Sequence, residues 1–182
     1  MFEPYIETVT GRKVHFLHPE PDEIDIKDIA FSLSNQCRFS GHVQFYSVAE
    51  HSVMVAAMCQ EKDQLAALLH DASEAYLSDI PSPVKQYLPD YKAIEETVQK
   101  AINDKFNVNT FTENIKYADK KASYQEATYL LDSRGRDWVP VLFQPQQKFK
   151  PHCLTPKDAF VLFMDWYNKL TEPLESKLII SA

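Results

Sequence analysis

The chain has 182 residues, 45% of them hydrophobic, and a formal net charge of −7. That length suits one domain, taken as residues 1–182, with a sizeable core. The acidic balance, with a pI near 5.3, argues against a nucleic-acid partner, which needs a basic surface, but leaves room for a small anionic ligand wherever a metal or a few cations override the overall sign.

From the N-terminus, "ETVTGRKVHFL" alternates apolar and polar residues around Thr10-Gly11 and predicts a short β-hairpin. "DIKDIAFSLSNQ", from Asp25, predicts a helix. "YSVAEHSVMVAAMCQ" opens with Ser47 and Glu50 at capping-box spacing, so a second helix starts there. "DQLAALLHDASEAYL" predicts one helix from Asp63 to about Leu77, stopped by Pro81 and Pro83. "PDYKAIEETVQKAINDKF" has Ile94, Val98, Ile102 and Phe106 at helical spacing, and "TENIKYADKKASYQEATYLL" continues the pattern through Ile115, Ala118, Ala122 and Tyr129. Residues 134–150 read as irregular. "TPKDAFVLFMDWYNKL" is the last helix, with Thr155 as cap and Pro156 at the first helical position. The expected fold class is all-α, a bundle of six or seven helices with a short N-terminal β-hairpin.

Three negative observations narrow the function. Cys37, Cys59 and Cys153 are odd in number and show no CxxC spacing, which points to a reducing cytoplasm rather than a disulfide framework. The start, "MFEPYIETVTGRK", lacks a basic segment followed by an apolar run, and no stretch reaches spanning length, so neither a signal peptide nor a membrane helix is expected. The only glycines are Gly11, Gly41 and Gly135, too scattered for a P-loop or a dinucleotide fingerprint. If the chain handles phosphates, it does so with a metal and side chains.

"LLHDASEAYLSDIPSP" holds the residues for that. His and Asp are good ligands for divalent metals. On a continuous helix, His70 and Glu74 are four apart and Asp71 and Glu74 three apart, so Glu74 can share a face with either. His51 lies among valines in its helix, and Asp119 lies beside Ala118 and Ala122, where a carboxylate is costly unless paired or metal-bound. Taken singly, His51 reads as a hydrogen-bonded core imidazole, Asp119 as a surface partner of Lys120 or Lys121, and Glu74 as a solvated acid. Together, His51, His70, Asp71 and Asp119 give two imidazoles and two carboxylates from three helices, the way metal sites in helical bundles are built.

The order His…His-Asp…Asp on successive helices resembles the HD-domain metal-dependent phosphohydrolases. "AFSLSNQCRFSGH", "YSVAEHS", "LLHDASEAYLSDIPSPVK", "LPDYKAIE" and "KYADKKA" look like segments of that family in family order, covering nearly the whole chain. Within it, the blocks look most like phage-type dATP triphosphohydrolases and bacterial 5′-deoxynucleotidases. The resemblance implies His51, His70, Asp71 and Asp119 as metal ligands and Glu74 as the acid/base residue. It implies Arg38 and Lys85 as phosphate contacts, and Phe39, Asp79 and Pro83 as further substrate contacts, with Ile80 in the same block. Position 39 is often Trp in such relatives, so Phe39 offers a ring without an N–H donor. His42 is left as a structural residue or a support for the ligands.

The implied reaction is water attack at the α-phosphate of a deoxynucleotide. The compact chain leans towards a dNTP, giving deoxynucleoside plus triphosphate. The alternatives are a 5′-deoxynucleotidase acting on dNMPs, an HD hydrolase of another nucleotide, or a metal-stabilised scaffold without activity. Zinc suits the ligand set, with cobalt, manganese, magnesium or iron also able to serve. The expected partner is a small nucleotide, with no nucleic acid and no membrane, in a cytoplasmic homo-oligomer (host cytoplasm if phage-encoded).

Overall fold

The computed structural model describes residues 3–138 and 146–172, and in it the chain is mostly helical. Strands β1 (Ile6–Glu7) and β2 (Lys13–Val14) pair antiparallel and form the only sheet among the described residues. Gly11, at φ +79°, supplies the left-handed residue of their turn. Helix α1 (Ile26–Asn35) follows, capped by Asp25, whose side chain accepts from the Lys27 N–H. The Thr10 N–H and hydroxyl donate to the two oxygens of Asp28 at 2.9 and 2.7 Å, which pins the hairpin to α1. No helix among the described residues is long and apolar enough to cross a membrane.

The remaining helices are α2 (Val48–Met58), α3 (Gln64–Leu68), α4 (Glu74–Leu77), α5 (Ser82–Lys85), α6 (Pro89–Phe106), α7 (Glu113–Leu130) and α8 (Pro156–Thr171). The all-α architecture is as expected. The α-helices number eight among the described residues because the helix expected over 63–77 is broken and α5 is a separate turn. Much of the irregular stretch 134–150 lies outside the described residues.

Helix α2 is the axle. It packs against α1, α3, α7 and α8, and every residue from Val48 to Ala56 is buried. A helix apolar nearly all round belongs in a core, and His51 sits inside this one. Ser47 caps it, its hydroxyl accepting from the Glu50 N–H at 3.1 Å. The reciprocal half of the expected capping box is absent. The Glu50 carboxylate turns away and accepts from the N–H groups of His152, Cys153 and Leu154 at 2.6, 3.2 and 2.9 Å. Those amides lead into α8, where they have no ladder to join. A buried acid that satisfies three of them is worth more than a local cap.

The break between α3 and α4 falls on His70 and Asp71. From Leu69 onward the backbone tightens into turns of three: Ala72 N–H to Leu69 O, Glu74 N–H to Asp71 O, and Ala75 N–H to Ala72 O. Gln99 of α6 holds this geometry from outside. It accepts from the Ser73 N–H at 3.0 Å and donates to Leu69 O at 2.9 Å. Replacing Gln99 by Leu should therefore lower stability by about 2 kcal/mol, since the buried Ser73 N–H loses its partner and Leu69 O keeps only the Ala72 N–H. Urea unfolding checks this; an unchanged midpoint would show that the break holds itself. Downstream, the chain turns at Ser78 (φ +71°) before either proline is reached. Pro83 sits in the first turn of α5, after Pro81 at its N-cap, rather than stopping α4, because a missing N–H costs nothing in a first turn.

Candidate metal centre

Three elements converge beside the break. The buried face of α2 presents His51, the turn after α3 presents His70 and Asp71, and α7 presents Asp119. One ligand atom each from His51, His70 and Asp119 lies within 4.8 Å of the others, a group that could hold a metal ion. The His51 Nε2 stands 3.2 Å from Asp119 Oδ1 and 3.4 Å from Asp71 Oδ2. The His70 Nε2 stands 3.2 Å from Asp71 Oδ2 and 3.9 Å from Asp119 Oδ1. Thus all four residues expected as ligands meet at one place. The tight turns, rather than a shared helical face, aim His70 and Asp71 together.

Hydrogen bonding fixes which imidazole nitrogen is free. His51 Nδ1 lies 2.5 Å from Glu126 Oε1 and His70 Nδ1 lies 2.8 Å from the Ala67 carbonyl. A carboxylate and a carbonyl only accept, so both Nδ1 atoms carry the proton. In its neutral form each ring directs a lone pair from Nε2, and both Nε2 atoms are buried without a hydrogen-bond partner among the described residues. Orphaned acceptors beside two carboxylates are the donor set of a divalent metal.

Glu126 was not expected from the sequence. It is fully buried on α7 and also accepts from the Tyr46 hydroxyl at 3.0 Å and from Arg38 Nε at 3.1 Å. It stands seven residues after Asp119, two turns along the same face. That spacing, an acid in an otherwise apolar stripe, was the available signal. Arg38 comes from the loop that the Cys37–Ser47 bridge closes. Its Nη2 donates to the Ser123 hydroxyl at 3.3 Å, and its Nη1 approaches Asp71 Oδ2 to 3.9 Å.

Glu74 is buried, with Oε1 3.4 Å from Lys85 Nζ and Oε2 unpartnered among the described residues. Lys85 is held more firmly by Glu95, at 2.6 Å, a partner the sequence reading did not include. The Asp79 N–H donates to the Gln36 side chain, and Gln36 in turn donates to the Glu74 carbonyl, so Asp79 is tied to the same turn. Phe39 is half-buried, with its ring 5.6 Å from the Arg38 guanidinium carbon. Pro83 is exposed and makes no polar contact with the cluster among the described residues. His42 is exposed too, which removes it as a core support for the ligands. Lys120 is exposed, and Lys121 instead lines a cavity of about 230 Å³ with Met58 and Cys59 that contains none of the four candidate ligands.

The electrostatics ask for a cation. Burial and Arg38 oppose charge on His51, but Glu126, Asp119 and Asp71 hold its pKa well above the ordinary value. His70 is likewise opposed by burial and raised to about 9 by Asp71 and Asp119. Asp71 and Asp119 resist burial and fall well below the usual carboxylate range because of the two imidazoles. Crowded acids thus draw protons onto the rings, a role a divalent ion takes over. Glu74 is displaced the other way: burial first, then Asp71 and Asp79, push its pKa well up against the pull of Lys85 and Arg38.

No family model matches the sequence. Over 172 residues the chain is 39% identical to the uncharacterized protein YfdR of Escherichia coli K12, covering 92% of this chain and 96% of that one. It is 35% identical over 111 residues to an uncharacterized Rhodobacter capsulatus protein, covering 55% of this chain and 57% of that one. It is 33% identical over 92 residues to the 5′-deoxynucleotidase YfbR of Escherichia coli O1:K1, covering 40% of this chain and 46% of that one.

Proposed function

We propose that this chain, which belongs to the YfdR family, is an HD-type metal-dependent phosphohydrolase of deoxynucleotides. The reading is carried by the two buried, unpartnered Nε2 atoms of His51 and His70 facing Asp71 and Asp119. The partial similarity to a 5′-deoxynucleotidase supports the substrate class.

His51, His70, Asp71 and Asp119 would hold the ion. When bound, a divalent ion there polarises a phosphoryl oxygen and makes a water more acidic. Arg38, fixed through Nε by Glu126, offers Nη1 and Nη2 as a planar fork for phosphate oxygens. Lys85 adds a point charge beside Glu74. The unpartnered Oε2 of Glu74 would accept a hydrogen bond from the attacking water. Its raised pKa suits it to take that proton and return it to the leaving 5′-oxygen. Replacing Glu74 by Ala should leave metal content intact and cut turnover by about a hundredfold or more. Loss of metal with retained rate would move Glu74 out of the proton-transfer role.

Between the phosphate forms, we favour the monophosphate over the triphosphate expected from the sequence. Both nearby permanent cations already face carboxylates, Arg38 with Glu126 and Lys85 with Glu95, and a triphosphate tail needs more. Lys120 and Lys121, just after Asp119, are the feature that speaks for the triphosphate. Product analysis over all dNMPs and dNTPs separates them: phosphate release supports the first, triphosphate release the second, and neither product excludes the reading altogether.

A further inference from the structure

We propose that Trp138 and Phe39 form an aromatic flank on which a nucleobase stacks, so that the site takes its ligand by the base as well as by the phosphate; this rests on the nucleotide reading above. Trp138 is 49% exposed, an indole with an open side. Its ring centroid lies 5.8 Å from that of Phe39, with the planes at 41°. Phe39 in turn lies 5.6 Å from the Arg38 guanidinium carbon, and Arg38 Nη1 lies 3.9 Å from Asp71. A continuous path of contacts therefore runs from the candidate ligands, through the phosphate-facing cation, to an exposed aromatic surface. That is the order of parts in a nucleotide: phosphate, then sugar, then base.

Both rings are held by unusual backbone. Phe39 and Ser40 have φ of +56° and +52°, ahead of Gly41 at +76°. A bulky residue in the left-handed region is an outlier, and such strain collects at functional sites. The Trp138 backbone N–H donates to Gly135 O at 3.1 Å. Gly135, at φ +67°, lies so close to α7 that an added Cβ would stand 3.1 Å from the Ala127 Cβ and 3.5 Å from the Tyr124 ring. The turn bearing Trp138 is thus laid on the helix that carries Asp119, Ser123 and Glu126. Every base has a π-face, so such a platform binds bases with little selectivity among them.

The chain has two tryptophans, so Trp166→Phe leaves Trp138 as the sole indole reporter. In that variant, loaded with zinc, deoxyadenosine should quench fluorescence saturably and 2-deoxyribose should not. In a Trp138→Ala protein, the ratio of kcat/KM for deoxyadenosine 5′-monophosphate to that for 2-deoxyribose 5-phosphate should fall about tenfold. Trp138→Phe should restore most of the ratio. An absent quench or an unchanged ratio overturns the aromatic flank. Quenching in a protein that hydrolyses no nucleotide retains the flank and removes the phosphohydrolase reading. Hydrolysis without quenching does the reverse.

Discussion

Exchanging His70 for Ala should lower deoxynucleotide hydrolysis by more than about a thousandfold, roughly 4 kcal/mol of transition-state stabilisation, and strip the protein of metal. The reason is local. His70 Nδ1 is committed to the Ala67 carbonyl, so Nε2 is the only atom through which the ring can serve, and alanine supplies no donor there. Asp71→Ala should behave alike, because its Oδ2 faces both imidazoles. The fold should survive the His70 change, since the break at Leu69 and Ser73 is held by Gln99 rather than by the imidazole. Metal content and rate, measured on the same folded preparation, test this together. A His70→Ala protein that keeps its metal and its rate would place the centre elsewhere.

Glu126→Gln should weaken metal binding by about 10–100-fold while keeping the side chain's shape. The carboxylate accepts on both sides: Oε1 from His51 and Tyr46, Oε2 from Arg38. A glutamine has one accepting oxygen, so whichever way it turns, its NH2 opposes a donor. Turned one way, His51 loses the bond that fixes its Nδ1 proton. Turned the other, Arg38 loses the Nε hydrogen bond; in both orientations it loses its charge partner, and breaking a buried pair costs about 3–5 kcal/mol. Competition against a chelator reads the first effect and urea unfolding the second. An unchanged metal affinity would leave Glu126 a purely structural acid.

Most of the helix starts were legible because capping is local chemistry. Ser47 and Thr155 announce α2 and α8, and both hydroxyls accept from the N–H three residues on. The four candidate ligands were legible as a set because His, His-Asp and Asp recur on successive amphipathic segments. What escaped depends on distant partners. "LLHDASEAYL" is a run of good helix formers, and nothing inside it says that Gln99, on α6, will hold it broken. Glu50 fits a capping box until the amides of His152, Cys153 and Leu154 are packed against it. Glu126 and Glu95 gain their partners only where α7 meets α2 and α6 meets α5. In each case a polar group was matched to its partner by tertiary packing, and helical spacing alone does not name that partner.

Dependence on the ion is read from deoxynucleotide hydrolysis by chelator-stripped protein as zinc, manganese or cobalt is returned. Turnover should be absent in the stripped protein and recover to saturation near one ion per chain. Full turnover in the stripped protein, with chelator still present, would contradict it.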